Sequence, residues 1–354
     1  MTQQQVLVTG GSGFIAGHLI LQLLERGYLV RTTVRSLSRE ETVRQVLTDT
    51  GMVNGEALSF VAADLTEDAG WAEAVAGVDT VAHVASPVLP GHVDNEDDVI
   101  IPAREGTLRV LRAARDAGIR RVVLTSAFHA VGWGHPHDDH EFSEDDWTVL
   151  DGPGVDAYAK AKTLAERAAW DFVADQANQT GRDGALELVT MLPVAVMGPA
   201  MGASISGANQ IVRSMLAGTM PGFPDIYIPV VDVRDVAAAH LSAIETPAAA
   251  GQRFLLSNGP ALSMREIGSI LRDHLGAAAH KVPTRNIPNL VVRIGSLFST
   301  ELRSVAPDLG YAKRTSNAKA RQVLGWQPRT AEEAIVAVGQ SMITRRLVTS
   351  KDSR

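Results

Sequence analysis

The stretch DAYAKAKTLAERAAWDF, residues 156–172, holds two side chains that could do acid–base chemistry together, Tyr158 and Lys162. Four residues apart on an amphipathic helix, they share one face. A free phenol has a pKa near ~10 and is a poor proton carrier at neutral pH. A neighbouring ammonium favours the phenolate and is expected to draw that value down, which suits a group that gives a proton to a carbonyl oxygen and later recovers it. A second set of polar groups lies upstream in VLTSAFHAV, residues 123–131. There an apolar run that reads as a buried strand delivers the hydroxyls of Thr125 and Ser126 to its own end.

The elements that must position these groups alternate along the chain. QVLVTG, LVRTTVR, LSFVAAD, VDTVAHVA and RVVLTSA are short apolar runs, separated by longer amphipathic ones such as FIAGHLILQLLERG. Strand alternating with helix implies a parallel sheet covered on both faces, with ligands at the carboxyl ends of the strands. After about residue 185 the alternation loosens, although LELVTMLPVAVMG and QRFLLSN still read as strands and VRDVAAAHLSAI as a helix.

Between the first strand and its helix, VLVTGGSGFIAGHL places Gly10, Gly13 and Ala16 at three-residue intervals. The first glycine permits a tight turn and the second lets the backbone approach a pyrophosphate. Ala16 lets the helix lie against the strand, and the helix N-terminus offers free N–H groups to the anion. Ser12, Phe14 and Ile15 belong to the same cofactor-binding turn. At the end of the second strand, where an acidic residue would select NAD, the chain has Arg35 and then Arg39. A charge-assisted bond from arginine to an added phosphate contributes about 1.5 to 3 kcal/mol, so NADP(H) is the expected cofactor. Asp64, with Leu65 beside it, is placed to accept from the adenine amine or to cap its own turn. Val84, Ala85 and Ser86, closing the next strand, are expected beside the nicotinamide half, as is Thr125.

The fold class is therefore α/β, a Rossmann-type doubly wound parallel sheet with a smaller, interwoven C-terminal substrate domain. The expected division is a dinucleotide-binding domain over 1–198, with elements near 229–257 returning to it, and a substrate lobe over 199–228 and 258–350. The cleft is expected around 87–95, 129–150, 199–228 and 287–305. The apolar stretch IPNLVVRIGSLF, 287–298, is too short to span a bilayer, contains Arg293, and reads as a buried or interface helix.

TGGSGFIAGH, VVLTSA, YAKAK and KARQVLGWQP together resemble the extended short-chain dehydrogenase/reductases of the NAD-dependent epimerase/dehydratase superfamily. Within these the chain is most similar to the dihydroflavonol reductase-like group, which includes NADPH-dependent aldehyde and ketone reductases. The resemblance covers nearly the whole chain. It implies that Tyr158 is the proton donor, that Lys162 bonds the nicotinamide ribose and tunes the tyrosine, and that Pro193, with Val194, lies near the carboxamide. It carries Arg35 over as the 2′-phosphate ligand and gives Asp232, Arg234 and Asp235 structural work.

One position departs from that pattern. The family's strand ends in Thr-Ser-Ser and its catalytic serine is the second, where this chain has Ala127. Side chains alternate along a strand, so Ser126 faces away from Thr125 and Ala127 if the strand stays extended. Three compensations are open: an early turn that brings Ser126 inward, a water in place of the hydroxyl, or the imidazole of His129. Ser126 is taken with Tyr158 and Lys162 as the catalytic set.

Composition excludes several classes. The 354-residue chain has no cysteine, so disulfides, thiolate zinc sites and a cysteine nucleophile are ruled out. A formal charge of −7 leaves no basic stripe for nucleic acid. The N-terminus lacks a basic, cleavable apolar leader, which makes a cytoplasmic location the expectation. GHPHDDHEF carries His135, His137 and His140 in a polar loop whose spacing fixes no coordination geometry, and no metal is expected. The expected function is reversible, NADPH-dependent reduction of a small aldehyde or ketone by a monomer or homodimer, with no nucleic-acid or membrane partner. The alternatives are an NAD-dependent nucleotide-sugar epimerase or hydroxysteroid-type dehydrogenase, and a non-catalytic NADP-binding sensor.

Overall fold

The computed structural model describes residues 3–87, 93, 95–180, 185–205, 207–299 and 306–348. Of the stretches expected to line the cleft, 88–92, 94, 206 and 300–305 lie outside the described residues. The strands are β1 (Gln5–Val8), β2 (Leu29–Val34), β3 (Leu58–Ala62), β4 (Thr80–His83), β5 (Arg121–Thr125), β6 (Glu141–Phe142), β7 (Glu187–Pro193), β8 (Ala195–Met197), β9 (Tyr227–Ile228), β10 (Val230–Asp232), β11 (Arg253–Leu256), β12 (Leu262–Ser263) and β13 (Arg314–Thr315). Among the described residues, seven of them form one parallel sheet in the order β11-β7-β5-β4-β1-β2-β3. The order reverses between β1 and β4, and the crevice beyond the carboxyl ends of such neighbours is where these sheets bind ligands.

The strands of the sheet are largely buried because both faces are covered, and their polar side chains such as Thr32, Thr33, His83 and Thr190 are buried with them. Helix α1 (Phe14–Glu25) and helix α7 (Val233–Glu245) pack together on one face, while α4 (Asp97–Asp116) and α5 (Ala157–Thr180) pack on the other. Ala159, Ala161, Ala165 and Ala169 are buried on α5, and these small side chains let it lie close to its neighbours. Beyond these come α2 (Glu40–Asp49), α3 (Trp71–Val75), α6 (Asn209–Ala217), α8 (Met264–Leu275), α9 (Asn289–Gly295), α10 (Ala318–Leu324) and α11 (Ala331–Thr344).

Residues late in the chain return to the main sheet: β11 pairs with β7 in the register Arg253 to Thr190. Helices α6, α8 and α11 instead gather around a core of their own that includes Val212, Phe223, Ile267, Leu271 and Ile335. Capping boxes fix the starts of α8 (Ser263 with Glu266) and α11 (Thr330 with Glu333). Segment 306–315 ties this region back to the loop after β5, since β13 pairs with β6 and the Gly310 N–H donates to the Asp225 carbonyl at 2.8 Å.

Of the buried and interface alternatives expected for 287–298, burial is corrected: in α9 Val292 is buried, but Leu290, Val291 and Ile294 are 68%, 55% and 51% exposed, so the helix presents an apolar side outward. Among the described residues no helix is long and apolar enough to cross a membrane.

Three histidines are built into the core uncharged. Burial lowers His83 to about 3 and His18 and His240 to about 4. Their folded pKa values lie below the unfolded value of about 6.5, so the unfolded chain binds more protons between those limits and stability falls as pH drops through 6.5. At pH 5 each such histidine costs on the order of 2 kcal/mol. Calorimetry is expected to show Tm falling steeply between pH 6.5 and 4.5; a Tm constant over that range would contradict the buried neutral state.

Candidate active site

The site begins at the turn after β1. Gly10 has φ +75°, and a Cβ there would lie 3.0 Å from that of Ala85. The turn is pinned by Gly10 N–H to Thr33 Oγ1 at 2.8 Å and by Gly13 N–H to the Gly10 carbonyl at 2.8 Å. Helix α1 then opens with Gly13 at its N-cap, no side-chain cap and no acidic residue in its first turn. Its N-terminal N–H groups and macrodipole thus face the crevice without competition from a protein carboxylate. Thr9 Oγ1 accepts from the N–H groups of Val84 and Ala85 at 3.0 and 2.9 Å, which leaves its proton for His83 Nδ1 at 2.9 Å. This threonine holds the ends of β1 and β4 together at the crevice.

Arg35 and Arg39 follow β2, exposed, and neither side chain makes a hydrogen bond or ion pair among the described residues. Asp64 follows β3. Its Oδ1 accepts the backbone N–H and hydroxyl of Thr66 at 2.9 and 2.8 Å, bonds that hold the carboxyl below its usual range, with Arg35 and Arg109 contributing. Asp64 therefore caps its own turn with one oxygen. The uncrowded glycine turn, the uncapped helix and two unpaired arginines fit a dinucleotide with an extra phosphate.

On the other side of the crevice α5 starts beside Asp156, whose Oδ1 accepts from Ala159 N–H at 2.8 Å. Tyr158, half-buried, lies in the first turn and Lys162, buried, in the next. The Lys162 ammonium donates to Ser86 Oγ at 3.1 Å and sits 5.9 Å from the centre of the Tyr158 ring. Gly10, Ala85, Ser86, Lys162 and Tyr158 thus form a continuous line from the phosphate-binding turn to the phenol. The expected acidification of the phenol is corrected: burial, with Asp156 adding to it, raises Tyr158 to about 12. Burial also lowers Lys162 to about 8, with Glu166 opposing the shift.

The strand-end hydroxyls are engaged elsewhere, and the placement of Ser126 in the catalytic set is corrected. The strand stays extended through Ala127 (φ −158°, ψ 159°), so alternation sends Ser126 to the α5 side. There its hydroxyl donates to Glu166 Oε2 at 2.7 Å. Thr125 points to the opposite face and donates to His240 Nε2 at 2.7 Å, His240 Nδ1 being held by the Val236 carbonyl at 2.7 Å. The Thr125 proton is thus engaged by α7. Glu166, one turn beyond Lys162, also accepts from Thr190 Oγ1 (2.8 Å), Trp170 Nε1 (3.3 Å) and Arg253 Nε (2.8 Å). Arg253 lies 3.7 Å over the Trp147 ring and donates to the carbonyls of Glu144 and Asp146. A cavity of about 10 Å³ between Ser86, Ser126, Lys162 and Glu166 has room for a single water.

Beyond Ala127 the chain makes the short helical turn Phe128–Ala130. Phe128 and Ala130 are buried and His129 is left half-exposed beside Tyr158. Trp133 stacks on His129, Lys313 lies 4.9 Å over Trp133, and Tyr311 stacks on His137. Segment 306–313 thereby reaches the site, which no local pattern announces. Pro193 and Val194 end β7, buried, with Val194 N–H donating to the Leu256 carbonyl at 3.1 Å. His135, His137 and His140 bond to the Val131 carbonyl, Asp308 and Asp146 respectively. Asp232 caps α7 and pairs with Arg234, and Asp235 pairs with Arg329. Glu166 was missed in the sequence although its spacing from Tyr158 and Lys162, four residues at each step, places it on their stripe.

Replacing Arg253 by methionine leaves a buried carboxylate without its counter-charge, a change that costs about 3 to 5 kcal/mol. Urea unfolding is expected to show that loss. A change below about 1 kcal/mol would mean that the neutral donors alone satisfy Glu166.

The comparisons with known proteins agree with this geometry. A model of the NAD dependent epimerase/dehydratase family matches residues 6–256. The ketoreductase azaE of Aspergillus niger is 34% identical over 305 residues, covering 81% of this chain and 87% of its own. Dihydroflavonol 4-reductase of Zea mays is 32% identical over 276 residues, covering 76% and 73%. The crystal structure of yeast methylglyoxal/isovaleraldehyde reductase Gre2 with NADPH superimposes with a TM-score of 0.78 at 25% identity, covering 97% of this chain and 100% of that one. A matched model that spans well over half the chain, on a doubly wound sheet with dihydroflavonol reductase-like relatives, identifies this protein as a member of the NAD dependent epimerase/dehydratase family, in its extended short-chain dehydrogenase/reductase branch.

Proposed function

We propose that the protein is an NADPH-dependent reductase of small aldehydes or ketones, reversible as an alcohol dehydrogenase, with Tyr158 as proton donor. The observation that carries this is the unbroken line from Gly10 through Ala85, Ser86 and Lys162 to Tyr158, which sets a proton donor against the crevice that would hold the nicotinamide. The reductase relatives support the reaction class, and NADPH in the Gre2 structure supports the cofactor.

The chain's own residues divide the work. The glycine turn and the α1 N-terminus would hold the pyrophosphate, and Arg35 and Arg39 the 2′-phosphate. Lys162 would hold the nicotinamide ribose. When bound, the cofactor supplies a hydride to the carbonyl carbon. Tyr158 is protonated at neutral pH like any phenol, burial keeps it so into the alkaline range by raising it to about 12, and it gives its proton to the substrate oxygen as charge develops there. A donor at that pKa favours reduction, since oxidation needs the phenolate as base. Lys162 loses its ammonium above about pH 8, so reduction is expected to decline on the alkaline side. The lobe built by α6, α8 and α11, together with residues 306–313, would present the substrate.

Tyr158→Phe is expected to lower kcat for NADPH-dependent carbonyl reduction by about 10²–10⁴-fold, with NADPH binding within about threefold of the parent. Unchanged turnover would overturn the proton-donor role, and NADPH binding without turnover on any carbonyl would favour a sensor. Arg35→Ala is expected to cut the preference for NADPH over NADH by about tenfold or more, read from the two kcat/KM values. An unaltered ratio would remove Arg35 from the cofactor site.

A further inference from the structure

A carbonyl oxygen that gathers charge during reduction is served best by a second donor beside the phenol. The groups nearest the expected place provide none: Ala127 has no polar atom, Ser126 is bonded to Glu166 and Thr125 to His240. His129 differs. Its ring meets the Tyr158 ring edge-on at 4.8 Å between centroids, and neither ring nitrogen makes a hydrogen bond among the described residues. His18, His83, His135 and His240 all have a ring nitrogen bonded.

The imidazole is held in place although its nitrogens make no hydrogen bond among the described residues. Phe128 and Ala130 are buried on either side of it in sequence, which turns His129 toward the cleft. Trp133 stacks on it at 3.8 Å with the planes 16° apart. Thr148 fixes both partners of that stack: its hydroxyl donates to the His129 carbonyl at 2.8 Å and accepts from Trp133 N–H at 3.1 Å. The charged groups around it are Lys162 from α5 and Lys313, the latter paired with Asp308 at 2.6 Å. Burial, with those two ammonium groups, lowers His129 to about 3. The ring is therefore neutral at working pH, with one N–H to offer in either tautomer.

We propose that His129 is a catalytic residue whose imidazole N–H donates to the substrate oxygen alongside the Tyr158 hydroxyl, in the role that a serine at position 127 would otherwise fill. This rests on the carbonyl-reductase reading above. No bond to His129 forms or breaks: the alkoxide takes its proton from Tyr158, and the imidazole proton stays where it is.

The test is NADPH-dependent reduction by the full chain of a carbonyl that the parent enzyme turns over, with NADPH affinity measured on the same samples. His129→Phe keeps an aromatic ring against Trp133 and removes the donor; it is expected to lower kcat/KM by about 10²–10³-fold with NADPH affinity unchanged. His129→Gln keeps an N–H donor and is expected to stay within about tenfold of the parent. Adding Ala127→Ser to His129→Phe is expected to restore at least about tenfold, a rescue that a purely structural histidine would not show. If His129→Phe stays within threefold of the parent while Tyr158→Phe is inactive, the role of His129 is overturned and the reductase reading stands. If His129→Phe loses NADPH binding, a loss in His129→Gln as large as that in His129→Phe, without rescue by serine, overturns it too. A parent protein inactive on every carbonyl overturns the reductase reading and this inference with it.

Discussion

A carboxylate with no access to water governs the geometry of this site. Glu166 is 1% exposed, and an isolated charge at such depth costs several kcal/mol. It is tolerated because Ser126, just past the end of β5, Thr190 of β7, Arg253 of β11 and Trp170 of α5 itself all donate to it. Three of those donors come from strands set side by side in the sheet, so satisfying one side chain fixes where α5 crosses them. Lys162 and Tyr158 lie on the same helix one and two turns earlier respectively, and they inherit that placement. Arg253 extends the clamp to the loop after β5 through the carbonyls of Glu144 and Asp146.

That arrangement changes what the strand-end hydroxyls are for. Thr125 joins the sheet to α7, and Ser126 joins it to α5; each faces the side that strand alternation gives it. Ala127, buried at the end of the same strand, adds no polar atom, and burial shifts the groups of α5 and the following turn toward their uncharged forms. Tyr158 is raised, Lys162 lowered and His129 lowered, all chiefly by desolvation. Such surroundings hold the Tyr158 phenol protonated, the form that the proposed reduction would consume. The neighbouring ammonium does not outweigh burial of the phenol, because it lies well off the ring and bonds Ser86.

Much of this is legible in the sequence where the cause is local. The strand–helix alternation, the glycine turn and the four-residue step from Tyr158 to Lys162 are periodicities, and alternation alone separates Ser126 from Ala127. The partners are a different matter. His240 lies 115 residues from Thr125, and Arg253 lies 87 residues from Glu166, so their meeting depends on the order of strands in the sheet. The arrival of Lys313 at Trp133 likewise depends on how β13 pairs with β6. The outward face of α9 contradicts its apolar composition, which by itself suggests burial. The expected lowering of the Tyr158 pKa fails for a related reason: spacing shows which charge is near, but not how much water is left.

The central claim is that the hydroxyl of Ser126 holds the sheet to α5 and takes no part in the reaction. Ser126→Ala, assayed for both unfolding free energy and kcat/KM per folded molecule, tests it most directly. Loss of one hydrogen bond to a buried carboxylate is expected to cost about 1 to 3 kcal/mol of stability, while kcat/KM stays within about tenfold. A kcat/KM lower by about 10²–10³-fold at unchanged stability would contradict the account and return Ser126 to the reacting centre.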